Sequence, residues 1–171
     1  MKVSLLLFVF GLLMVLLQTT FFHLFPVVPD LVLILCVYWG LHHPTVGAVL
    51  GSFALGYSVD IVSSPILGLN AFAMSVVFLT VYLGSKSIWL HSYVASSLVV
   101  LLAALVKGAA LVLVWAVFLS TEGFWAGAVR YILMEAVVAA VIAPLVFALL
   151  QRWQRQLEDS RSAAHGKHDF I

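Results

Sequence analysis

The sequence predicts an all-α polytopic membrane protein, a bundle of six helices, and three observations carry that prediction. Hydrophobic residues fill 64% of the 171 positions and charged residues only 9%. The mean hydropathy of +1.19 implies more apolar surface than a water-soluble globule of this size can hide. Polar, proline and glycine punctuation then cuts the chain into six apolar runs, most of them near the roughly 20 residues that a spanning helix needs.

The first run, residues 3–22, follows Lys2 as a secretory leader would. It is too long for one and no A-x-A site follows it, so a retained first helix is expected. The second and third, 29–42 and 45–61, are short and separated by His42, His43 and Pro44, which predicts a tight hairpin, with one arm tilted or entering the membrane only partway. The fourth is expected over 67–85. The fifth, 92–119, would reach about 42 Å at 1.5 Å per residue, so it must tilt or project from a ~30 Å hydrocarbon core. The sixth is expected over 129–150. Residues 1–151 then form one integral membrane domain, and 152–171 a basic, disordered cytoplasmic tail in which Arg152, Trp153 and Arg155 suit an interfacial anchor.

Basic residues set the orientation. With both termini in the cytoplasm, Lys2, Lys86, Arg152, Arg155, Arg161 and Lys167 all fall inside, and only Arg130 lies near the outer face. An odd number of spans would throw the basic tail outside. The expected location is a plasma membrane crossed several times.

Composition and motifs exclude several functions. A net charge of +1 with no basic patch interleaved with aromatics gives no nucleic-acid surface. The lone Cys36, set in an apolar run, allows neither an internal disulfide nor a CxxC pair. The histidines at 23, 42, 43, 91, 165 and 168 form no HExxH motif or i, i+4 pair on an expected helix, and His42 and His43 diverge by about 100° on one. No serine sits in a G-x-S-x-G element. No enzyme, cofactor, metal or small-molecule substrate is expected.

What remains is a short set of polar residues inside the apolar runs. An Asp at the centre of a bilayer costs about 2.5–3.5 kcal/mol on insertion scales, and buried charges are seldom left unpaired. Lys107 and Glu135 lie within the fifth and sixth runs, which antiparallel neighbours would bring together. Asp60 ends the third run near Ser63, Ser64 and Asn70, where it can fix the Ser-Ser-Pro turn. Asp30, after Pro29, is ordinary helix-start chemistry: a proline in the first turn and an acid at the positive end of the dipole. Glu122 and Arg130 are expected to be solvated. Small residues mark close helix approach: Gly47 with Gly51 as a GxxxG pair, Ser52 with Gly56, and Ala104 with Gly108.

Taken in order, Pro29-Asp30-Leu31, Gly47, Gly51, Ser52 through Asp60, Leu67-Gly68 and Ala71-Phe72 resemble the rod shape-determining membrane protein MreD family, with its PDL, GFxxGLxxD and LGxxA elements. Ser52 stands where that pattern has Gly, and Tyr57 where it has Leu. The resemblance implies a non-enzymatic scaffold of the bacterial elongation machinery. The implied fold is related to the substrate-binding subunits of energy-coupling-factor vitamin transporters. The implied partners are MreC, held against the small-residue faces, and indirectly the MreB filament and the peptidoglycan polymerase and transpeptidase pair, all in a setting of membrane lipid. A different reading is a transporter subunit with Asp60, Asn70, Glu122 and Trp125 around a pocket, but residues 3–22 lack the Ala-x-x-x-Ala docking face expected of that class. A third, a proton-coupled carrier built on Lys107 and Glu135, needs a water path.

Overall fold

The computed structural model describes residues 2–22, 30–63, 66–85, 93–118 and 125–165. Across these it is all helical: α1 (Lys2–Phe22), α2 (Leu31–His42), α3 (Val46–Ser63), α4 (Leu69–Ser85), α5 (Tyr93–Phe118) and α6 (Trp125–His165). Three carry a stretch long and apolar enough to cross a membrane, Val46–Ser63, Ala95–Val117 and Val129–Gln156, and the other three are shorter apolar helices.

The shortest helix organises the rest. α2 reads LVLILCVYWGLH, apolar on every face, and a helix with no polar face belongs in an interior. Every residue from Val32 to Gly40 is buried, and α2 touches each of the other five helices. Around it the neighbours run α1, α3, α4, α5, α6, each packed against the next as far as α6. Phe10 of α1 and Trp153 of α6 face one another across the remaining gap, with ring centroids 5.3 Å apart.

The peripheral helices turn large apolar side chains outward, among them Leu5 and Leu16 on α1, Leu50 and Ile61 on α3, Leu113 and Val117 on α5, and Val141 and Leu145 on α6. Buried polar residues sit inside: Asp30, Ser52, Asp60, Ser96 and Lys107. That inversion of the usual soluble pattern is what a hydrocarbon solvent imposes.

Close approaches are made by small residues, as expected, though not all at the expected places. A Cβ on Gly56 would lie 2.7 Å from the carbonyl oxygen of Asn70 and 2.8 Å from Cα of Ala71, so α3 and α4 meet backbone to backbone there. Gly51 accepts the indole of Trp39, and Gly108 the side chain of Ile132 on α6. Ser52 and Ala104 are buried. Gly47 departs from the pattern: it is exposed, and its nearest neighbour would be Thr45 Oγ1 at 3.9 Å. The GxxxG pair therefore makes one internal contact, because Gly47 lies in the first turn of α3, beside the link to α2. Gly11 makes an approach that the pairing rule did not pick out: a Cβ there would lie 2.6 Å from the side chain of Leu55 and 3.0 Å from that of Leu35.

The sixth helix corrects the expected boundary. It starts at Trp125 and runs unbroken through Pro144 to His165, where an end near 150 and a disordered tail were expected. The change from apolar to polar residues after Leu150 marks a change of solvent; Gln and Arg are good helix formers, so the helix continues. Trp153 and Gln154 in this continuation still dock on the bundle. Of the residues singled out above, His23, Pro29, Ser64, Lys86, His91, Glu122, Lys167 and His168 lie outside the described residues, as do the side chains of Lys2, Trp125, Arg161 and His165.

Candidate functional site: an ion-paired layer at one end of the bundle

Asp30 caps the central helix. Its Oδ1 accepts the Leu33 N–H at 2.9 Å, which satisfies one of the donors that a helix start leaves open. Its Oδ2 takes the ammonium of Lys107 from α5. The same ammonium donates to Glu135 Oε1 of α6 at 3.1 Å. The side chains are 2%, 11% and 19% exposed for Asp30, Lys107 and Glu135. One cation thus joins three helices, and Gly108, next to it in sequence, lets α6 come close enough to contribute its carboxylate. Lys107 and Glu135, whose pairing the sequence left open, are joined, but the more deeply buried partner is Asp30, for which helix-start chemistry alone was a sufficient account.

Asp60 does for α4 what Asp30 does for α2, from a distance. Its Oδ2 accepts the N–H groups of Gly68 at 3.1 Å and Ala71 at 3.0 Å, and its Oδ1 accepts the N–H and Nδ2 of Asn70, each at 3.0 Å. The carboxylate is fully buried and neutralises the positive end of α4. Gly68 has φ +92°, a conformation that a side chain disfavours. Asn70 is thus a partner of Asp60 as expected, whereas exposed Ser63 is not among its bonds.

The two clusters share a level. Trp39 of α2 lies on Gly51 of α3, and nine residues farther along these antiparallel helices, toward the same end, come Asp30 and Asp60. The opposite end is closed by a second polar group that sequence reasoning missed. Tyr38 donates its hydroxyl to Gln154 Oε1 at 2.6 Å, and Gln154 Nε2 lies 3.3 Å from His43 Nε2. His42 stacks on Tyr38 with centroids 4.2 Å apart, and Phe147 meets Tyr38 edge-on at 5.2 Å. The available signal was that an even number of spans puts the His42–His43 link and the polar tail carrying Gln154, 111 positions away, on the same face, and the reading of that tail as disordered set it aside.

Among the described residues, no group of three His, Cys, Asp or Glu side chains could hold a metal ion. Each of these polar groups ties helices to one another.

Charges directed inward, apolar side chains directed outward and helices of spanning length define a helical membrane protein. Within that class, the family model for the rod shape-determining protein MreD matches residues 1–153, and the chain belongs to that family. No curated protein and no solved structure matches it. Membership implies a role in rod shape determination, and the match spans Asp30, Asp60, Asn70, Lys107 and Glu135.

Proposed function

We propose that this chain is a non-enzymatic membrane scaffold of the bacterial elongation machinery. It holds MreC, and through it works beside the MreB filament and the peptidoglycan polymerase and transpeptidase pair, so that lateral wall synthesis stays coupled to the filament. In this reading it is an inner-membrane protein with six spans, both termini in the cytoplasm and a bundle related to the energy-coupling-factor substrate-binding subunits. The observation that supports it is the disposition of the buried charges. Lys107 joins α2, α5 and α6, and Asp60 joins α3 to α4, so the polar groups fix a shape. A rigid bundle with extensive outward apolar faces suits a protein that presents surfaces to other membrane proteins.

Depletion in the native bacterium, with cell width and sites of new wall synthesis followed by microscopy, tests the role. Rounding and loss of lateral growth, rescued by the wild type and accompanied by co-purification of MreC, is the expected result. Normal rods with a defect in growth on a scavenged nutrient would replace the scaffold with a solute-binding subunit.

A further inference from the structure

Two helical hairpins of this bundle are level at one end and unequal at the other. At the His43 end, Gln154 of α6 meets the residue that precedes the α3 hairpin arm by one short link, so α3 and α6 share a height there. At the opposite end, Asp30, Lys107 and Glu135 are bonded together, and the Trp39–Gly51 contact places Asp60 at that same height.

Beyond this height the hairpins differ. On α3 itself the outward apolar residues stop at Ile61 and Val62, two residues past Asp60 or about 3 Å at 1.5 Å per residue; exposed Ser63 follows, and beyond it exposed Leu67 lies in the turn that leads into α4. On α5 they continue to Val117, ten residues past Lys107 or about 15 Å. The sequence there is GAALVLVWAV, with no charged or hydroxyl group, and Leu113 and Val117 are 61% and 68% exposed. α6 carries exposed Val129 and Leu133 alongside, and Val129 lies six residues above Glu135, or about 9 Å.

Among the described side chains, the outward bands tell the same story. On α3 the band runs from Val46 to Val62, about 24 Å, and on α4 from Phe72 to Leu83, about 17 Å. On α5 it runs from Leu98 to Val117, about 28 Å, and on α6 from Val129 to Leu149, about 30 Å. Among the described residues, only the second hairpin carries bands that reach about the 30 Å of a hydrocarbon core. An apolar rod such as 108–117 belongs in hydrocarbon, and a non-helical turn such as that at residues 66–68 belongs at its edge. Both requirements hold together only if the edge is at two heights.

We infer that the surrounding lipid follows this step: the leaflet on the Asp30–Asp60 side is about 10 Å thinner beside α3–α4 than beside α5–α6. The partner of the α3–α4 face is lipid with compressed or short acyl chains. Separate tilting of the hairpins cannot remove the mismatch, because the Lys107 pairs and the α4–α5 packing hold them in one body. The bundle carries a standing, one-sided deformation of the bilayer around it.

Spin labels on single cysteines, placed in the Cys36→Ala full-length chain and reconstituted in oleoyl-chain phosphatidylcholine vesicles, report depth by oxygen against nickel-chelate accessibility. The label sites are Ile61, Val62 and Val117 at the stepped end and Val46 and Leu149 at the level end, all outward-facing, with Val62 as a second α3 site should the Ile61 variant fail to fold. Equal, shallow depths at Ile61 (or Val62) and Val117, with equal depths at Val46 and Leu149, are expected. A flat bilayer would overturn the inference in one of two ways: the α3 label about 10 Å deeper than Val117, or Val117 in water while the α3 label is at the edge. A whole-body tilt in a flat bilayer would overturn it as well, through depths at Val46 and Leu149 that differ by about 10 Å.

Discussion

Replacing Lys107 with Met tests how the charged cluster holds the bundle. The substitution keeps the length of the side chain and removes the only cation from a site where Asp30 is 2% and Glu135 19% exposed. Two carboxylates then face each other across a dry interface. Breaking a buried pair by removing one partner costs about 3–5 kcal/mol because it leaves an uncompensated buried charge, a cost that disappears when every member is made neutral. Lys107→Met is therefore expected to lose about 3–5 kcal/mol, and the triple variant Asp30→Asn, Lys107→Met, Glu135→Gln to recover most of that loss. Asn keeps the cap on Leu33, so the triple variant loses the charges without losing the helix start. Denaturation in mixed micelles, followed by helicity and by tryptophan fluorescence, gives each difference. A Lys107→Met loss below about 1 kcal/mol, or a triple variant as unstable as the single one, would refute the reasoning that the pairs bind α2, α5 and α6.

Other substitutions probe the remaining contacts. Asp60→Asn places an amide against four N–H donors and is expected to cost about 1–3 kcal/mol in the same denaturation assay. Gly56→Leu and Gly51→Leu should abolish or severely reduce folded protein by size-exclusion chromatography, while Gly47→Leu and Cys36→Ala leave its yield near wild type. Tyr38→Phe removes the hydroxyl that donates to Gln154 and is expected to cost about 0.5–1.5 kcal/mol. Truncation after Gln156 should leave thermal stability in detergent close to wild type, and truncation after Leu150, which removes Trp153 and Gln154, should lower it clearly.

Much of this architecture is legible in the sequence, because a bilayer allows few alternatives. The apolar runs gave the six helices and the hairpin at His42–Pro44, and set Lys107 and Glu135 on successive helices without deciding that they pair. Gly56 and Gly108 fell at close approaches because only small residues let helices come so near without a hydrophobic driving force. The failures share a cause. Asp30 satisfied a local rule so well that nothing in its neighbourhood pointed to a partner 77 positions away. Gly47 satisfied a motif whose facing surface is a matter of tertiary placement. The end of α6 was judged by hydrophobicity, which reports the solvent of a helix and not its length.

The proposed role of the buried charges is to hold a shape, with no chemistry or transport of their own. Its most direct test is complementation of depleted cells by the charge-free triple variant at positions 30, 107 and 135, with cell width measured and its membrane abundance matched to wild type. Restored rods from the triple variant, against round cells from Lys107→Met alone, are the predicted result. Round cells despite a folded, abundant triple variant would contradict the account and assign the charges a function beyond architecture.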